Sequence, residues 1–213
     1  MRKELDHHVG VGIIKSEKTQ ELLLGVYDDT YPDTNWRGRA KLIGGNHEKD
    51  DISPRHIFYR EVNEEFSHIK DKESEFATEE DIKLIRETIL LNALPYRDFL
   101  VKMPQRIGKQ EHQVIYSVFN SFLTDKILTL IRKNIELEKR IINEGLLRIV
   151  SVDELAKGNL LVAAATGLIL GEYFNARIPN PDNATAENIG LPRNSFNDYA
   201  KEFSYKKPVK ITI

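Results

Sequence analysis

The stretch Ile43-Gly44-Gly45-Asn46-His47-Glu48, followed after a loop by Ser53-Pro54 and then by Arg60-Glu61-Val62-Asn63-Glu64-Glu65, decides how this chain is read. A short apolar run from Ala40 to Ile43 predicts a strand that stops at the glycine pair. Ser53 is a good N-cap, Pro54 suits the first helical position, and Phe58, Val62, Phe66 and Ile69 recur at helical spacing, which predicts a helix from Ser53 to His68. At about 100° per residue, with Glu61 as zero, Glu65 falls near about +40° and Glu64 near about −60°. Three carboxylates therefore share one face, and the apolar stripe, centred near about +95°, can hold the helix to a core while that face borders a cleft.

Like charges one turn apart repel, and more strongly in a low-dielectric cleft, so something should compensate them. Arg60 can pair with one carboxylate. A hard divalent cation such as Mg²⁺, which prefers oxygen ligands, fits three clustered carboxylates better. By charge pattern alone the cluster also reads as an ordinary solvated helix face.

Working outward, Val9, Val11, Ile13 and Ile14 predict an opening strand, and Glu21 to Tyr27 a second one across a polar hairpin loop. Asp28 to Arg39 is a long polar loop carrying the only Trp, Trp36. Thr78-Glu79-Glu80-Asp81 caps a second helix with Ile82, Ile85 and Ile89 as its stripe. Strands are predicted at Phe99 to Val101, Val114 to Phe119 and Leu146 to Val150, with an amphipathic segment from Thr124 to about Asn143. Ser151 to Glu154 reads as a capping box, Leu160 to Phe174 as a buried helix, and Val209 to Ile213 as a closing strand after a Pro-, Asn- and Asp-rich stretch. His7-His8 reads as exposed. Irregular mixing of helices and strands gives an α+β (mixed α/β) fold class.

With 213 residues, one generous domain is expected. Lys plus Arg is 31 and Asp plus Glu is 33, a formal charge of −2, so no global field attracts nucleic acid or an anionic membrane. Hydrophobic residues at 40% and charged ones at 30% describe a globular chain. The absence of cysteine excludes disulfides, thiolate metal sites and a cysteine nucleophile, leaving Asp, Glu or His for any metal. Without a secretory stretch at Met1 to His8 or an apolar run long enough to span a bilayer, the expected location is cytoplasmic, with no membrane partner.

The glycine pair, capped helix and acidic face together resemble the Nudix hydrolase family. Its box runs Gly, five residues, Glu, seven residues, Arg-Glu, an aliphatic, any residue, Glu-Glu, any residue, Gly, an aliphatic. Gly45, Arg60, Glu61, Val62, Glu64 and Glu65 match. Three positions depart: the spacing from Gly45 to Arg60 is one residue longer, the upstream Glu falls at Ile52 beside Asp50 and Asp51, and the late Gly is Ser67. The resemblance implies a Nudix-like α/β/α sandwich with a mixed sheet, spanning 1–177 with added helices near 78–92 and 124–143. Residues 178–213 then form a C-terminal extension packed on the domain or used in assembly.

The resemblance further implies Mg²⁺-dependent (or Mn²⁺-dependent) cleavage of the pyrophosphate bond of a nucleoside diphosphate derivative. Glu61, Glu64 and Glu65 would hold the metal, one of them doubling as base, and Arg60 would orient them. Glu48, and Glu111 at the start of the Val114 strand, are further acidic candidates. Trp36, Tyr31 and Tyr27 could stack on a base, Arg37, Arg39 and Lys41 could meet phosphates, and the bare backbone of Gly44 and Gly45 could approach them. The resemblance and the closing strand also point to a homodimer. Two other readings stand beside the hydrolase: a nucleotide-sensing module with a Nudix-like fold, and an interaction protein using the 124–143 stripe as a dimer face.

Overall fold

A computed structural model describes residues 3–5, 7–68, 74–103, 112–179 and 183–205. The chain runs β1 (Lys3–Leu5), β2 (His7–Ser16), β3 (Glu21–Val26), β4 (Ala40–Lys41), β5 (Ile43–Asn46), α1 (Pro54–Glu65), α2 (Glu79–Leu91), β6 (Leu94–Met103) and β7 (His112–Leu123). It continues with α3 (Asp125–Glu136), β8 (Leu146–Ser151), α4 (Val152–Ala156), α5 (Ala164–Phe174), β9 (Thr185–Gly190), α6 (Phe196–Ala200) and β10 (Phe203–Tyr205). Glu111, Ile69 and the Val209–Ile213 strand lie outside the described residues.

The main sheet has the order β4-β3-β2-β7-β6-β9, with β5 also paired to β2 and β8 to β3. It is mixed: β2 and β7 run parallel and the other pairs antiparallel. Alternation along β2, β6 and β7, interrupted by register shifts near the start of β6, divides the buried side chains between two faces. Val9, Val11, Phe99, Val101, Val114 and Val118 pack with α5 residues Ile169 and Leu170. Ile14, Leu23, Phe119 and Leu123 pack with the stripes of α1, α2 and α3. An α+β sandwich with helices on both faces results. The stripe of α3, Ile127, Leu128 and Ile131, is consumed in this second core and so is not a free dimer face.

Among the described residues the expected elements are present with local differences. The strand at Ala40 breaks at Leu42 and resumes through the glycine pair instead of stopping there, because Gly44 adopts φ 137° and an added Cβ would lie 2.1 Å from the Gly10 carbonyl. α3 ends at Glu136, and Glu138 at φ 55° turns the chain away from the predicted continuation to Asn143. α5 begins only at Ala164, since Ala40 and Val162 form a β-bridge and Ala163 N–H donates to Ala40 O at 2.8 Å. β9 arises in the stretch read as irregular, pairing with the edge of β6. His8, read as exposed, is fully buried. Among the described residues no helix is long and apolar enough to cross a membrane.

The contact that sets the architecture is α1 on β2. Cβ atoms added at Gly10 would lie 2.9 Å from Pro54 O and Phe58 N, and at Gly12 2.6 Å from the Phe58 ring, which itself stacks on Phe119 at 5.3 Å. Gly10→Ala must therefore push helix backbone rather than a flexible side chain. The expected cost is about 1–3 kcal/mol, read as a lowered urea midpoint at unchanged m.

Candidate active site

Because Ile57, Phe58, Val62 and Phe66 are all buried, the rotation of α1 is fixed and so is the direction of its acidic residues. Ser53 caps the helix, its Oγ accepting from His56 N–H at 3.2 Å. Glu61 projects across β5: a Cβ on Gly45 would fall 2.3 Å from the Glu61 carboxylate carbon. The missing side chain at Gly45 is what gives that carboxylate its place.

Arg60 organises the loop before the helix. Its Nε and Nη2 donate to the two carboxylate oxygens of Asp51 at 3.2 and 3.1 Å, and Nη2 also donates to Asn46 O at 2.7 Å. Nη1 reaches Glu61 and Glu64, each at 2.9 Å, and Glu48 at 3.7 Å. Asp51 is buried, accepts from Glu48 N–H at 2.8 Å, and faces the half-exposed His56. Ile52, which falls at the acidic position of the box counted back from Arg60, is 75% exposed. The residue added to the loop therefore lets Asp51 point inward where Ile52 leaves a gap, and a bidentate carboxylate–guanidinium pair results.

Glu65 has a different cation. Lys41 Nζ donates to it at 3.2 Å while lying 4.9 Å from the centre of the Tyr27 ring. The end of α1 is tied down by the chain after α3: Asn143 N–H donates to Glu65 O at 2.8 Å, Glu144 N–H to a Glu65 carboxylate oxygen at 3.3 Å, and Asn143 Nδ2 to Glu64 O at 2.6 Å. Ser67, where the box has Gly, donates its hydroxyl to Glu64 O at 2.9 Å and accepts from Asn143 Nδ2.

These groups border a cavity of about 470 Å³. Glu48, Glu61, Glu65 and Glu144 line one part of it, with Lys41, Gly44 and Gly45. Tyr27, Tyr31 and Trp36 form an aromatic wall, the two tyrosines 4.3 Å apart between ring centres and Tyr27 6.0 Å from Trp36. Val9, Val11, Val114 and Tyr116 supply a floor from the sheet, extended by His7 and His112, whose rings stack at 6.2 Å. Arg60 and Glu64 are not among the lining residues; they meet each other beside it. Nor do Arg37 and Arg39 line it: Arg37 Nε donates to Tyr31 O at 2.8 Å, and the Arg39 guanidinium lies 5.3 Å from the Trp36 ring centre, so both shape the aromatic wall from behind. Sequence reading missed Glu144, Asn143, His7, His112 and Thr166, which accepts from Leu42 N–H at 3.1 Å. The polar pair Asn143-Glu144 directly after the buried Ile141-Ile142 was the available signal.

Burial pushes the Glu61 carboxyl up to about 7, against the pull of Arg60, and raises that of Glu65 against the pull of Lys41. Among the described residues no group of three or more His, Asp or Glu is gathered to hold a metal ion; Glu61 is paired with Arg60 and Glu65 with Lys41. The donor set itself suits a hard divalent cation: carboxylate oxygens beside a glycine whose side chain would otherwise fill the space.

Two outcomes follow from this geometry. Glu61 binds its proton more tightly folded than unfolded, so its stabilising contribution is complete below about pH 4.5 and disappears as pH rises through about 7. Glu61→Gln should remove that slope, on the order of 2–3 kcal/mol, from urea unfolding followed across pH 4–8. Gly45, unlike Gly44, is outside the left-handed region. Gly45→Ala should therefore stay within about 1 kcal/mol of the parent in stability while displacing the Glu61 carboxylate, seen as a shifted side-chain titration by NMR.

The chain matches no family model and no curated protein. Solved structures are similar to it: a MutT protein from Methanosarcina mazei Go1 (18% identity, TM-score 0.46, 82% of this chain and 96% of that one) and a mutT/nudix family protein from Listeria innocua (14%, 0.47, 81% and 94%). A third is a NUDIX hydrolase from Nitrosomonas europaea (14%, 0.43, 83% and 93%). The chain is thus similar in structure to MutT/Nudix proteins, at values that carry nothing about the site, whose chemistry stands on its own geometry.

Proposed function

We propose that the chain is a divalent-metal-dependent hydrolase that cleaves the pyrophosphate bond of a nucleoside diphosphate derivative. The observation that carries this reading is the union in one cavity of Glu48, Glu61 and Glu65 with an aromatic wall of Tyr27, Tyr31 and Trp36, across the side-chain-free backbone of Gly44 and Gly45. The aromatic wall offers stacking surface to a base, and the glycine pair lets phosphate oxygens approach backbone.

Glu61, Glu65 and Glu48 are the residues we assign to Mg²⁺ or Mn²⁺. When bound, the ion would neutralise charge developing on phosphoryl oxygens and acidify a bound water. Arg60, anchored on Asp51 and Asn46 O, holds Glu61 and leaves Glu64 outside the cavity as a positioning group. Glu61 must lose its proton to serve, so metal affinity should rise as pH increases through about 7. Lys41 holds Glu65 and is the one lining residue with a fixed positive charge among those described.

That Glu61, partly buried, and Glu65, buried, already have organic cations also supports a second reading, a nucleotide-sensing module with little turnover. Incubation with a panel of dinucleotides and nucleotide sugars plus Mg²⁺ or Mn²⁺, assayed for monophosphate products, separates the two. The hydrolase reading expects turnover that falls about 10²-fold or more in Glu61→Gln and much less in Glu64→Gln. Thermal stabilisation by a nucleotide with no product from any panel member would overturn it in favour of the sensor.

A further inference from the structure

We propose that the C-terminal segment 191–205 is a strap that positions the loop 46–52, acting through Phe196 on His47. The inference rests on the reading of the cavity given above, since that loop carries Glu48, Asp51 and the carbonyl that receives Arg60.

The strap is fixed by a buried polar chain that spans three neighbouring strands. Tyr199, fully buried on α6, donates its hydroxyl to one carboxylate oxygen of Asp98 on β6. Ser117 on β7 donates to the other at 2.6 Å, and Ser117 Oγ is 2.8 Å from Nε2 of His8 on β2. Arg193 N–H donates to the Tyr199 hydroxyl at 3.2 Å, and Arg193 Nη1 to Asp198 O at 2.6 Å, which closes the turn into α6. Around this chain Tyr199 and Phe203 pack with Leu100 and Ile115. Sliding α6 would strip partners from groups with no access to water, so the helix has one position on the sheet.

From that position α6 reaches the site loop. The Phe196 ring meets His8 edge-on at 5.3 Å and His47 edge-on at 4.4 Å. His47 is also pinned by its backbone, its N–H donating to His8 O at 2.8 Å. The residues on either side of His47 are those that engage Arg60 and Asp51: Asn46 O accepts from Arg60, and Glu48 N–H donates to Asp51. Phe196 therefore wedges the one loop residue that stands between two anchors of the Arg60 cluster. It touches none of the cavity itself, which makes it a positioning residue.

Hydrogen exchange on the full-length protein, resolved to the peptide spanning 46–52, tests this without requiring turnover. Phe196→Ala should raise exchange in that peptide about five- to tenfold with β3 and β8 unchanged, and should weaken Mn²⁺ binding by a similar factor. Phe196→Tyr, which keeps the ring edge, should restore both. If Phe196→Ala raises exchange in β3 as well, Phe196→Leu, which keeps bulk without the edge, decides: loop exchange raised alone supports the strap. Unchanged loop exchange in either variant, or loop and β3 raised together in Phe196→Leu, overturns it. Coupled exchange in a protein that turns over no nucleotide would leave the strap standing and remove the hydrolase reading.

Discussion

The approach of α1 to bare backbone is the constraint on which the rest of the structure depends. A helix normally rides on side chains above a sheet, but at Gly10 and Gly12 nothing separates Pro54, Ile57 and Phe58 from β2. That closeness lowers the helix enough for Glu61 to reach over β5, and Gly45 removes the last obstacle at the crossing. Glycines at these three positions therefore have nothing to do with turns or flexibility. They set the distance between a structural core on one side of the sheet and a cavity on the other.

A second constraint is charge. Two partly or fully buried carboxylates, Glu61 and Glu65, would repel each other and resist burial if left alone. The fold meets this with two cations that are each anchored elsewhere, Arg60 on Asp51 and the Asn46 carbonyl, and Lys41 against the Tyr27 ring. Anchoring matters because a cation held by other groups can leave a carboxylate to a ligand without becoming unpaired itself. In this arrangement Arg60 is bound to the loop whatever Glu61 does, which is the geometry expected of an orienting residue.

The helix that carries the acidic face was legible because three independent local signals agreed: the Ser53 cap, Pro54 and a 3.6-residue apolar period. The α+β class and most strands were legible for the same reason. Counted forward from Gly45 the acid of the box falls at Asp51 and counted back from Arg60 at Ile52, and spacing could not choose between them, since which residue of an extended loop turns inward depends on the partner it finds, and Arg60 lies a loop away. The continuation of β5 through Gly44-Gly45 and the existence of β9 were not legible: glycines and the sequence Thr-Ala-Glu-Asn-Ile-Gly carry no strand preference, and pairing with β2 and β6 supplies what propensity does not. His8 was misread because its partners, Ser117 and Tyr199, are remote in sequence.

By itself, then, the amino-acid sequence determined the helix, its acidic face and the exclusion of thiolate chemistry, all of which follow from residue type and short-range periodicity. The tertiary structure alone decided which carboxylates enter the cavity. Glu61 and Glu65 do and Glu64 does not, although the wheel places all three on one face, because Gly45, Lys41 and Asn143-Glu144 converge on the first two from distant parts of the chain while the Glu64 side chain stays exposed. A helical wheel records direction about one axis, and the environment that meets each direction is assembled only when strands and loops far apart in sequence close around it.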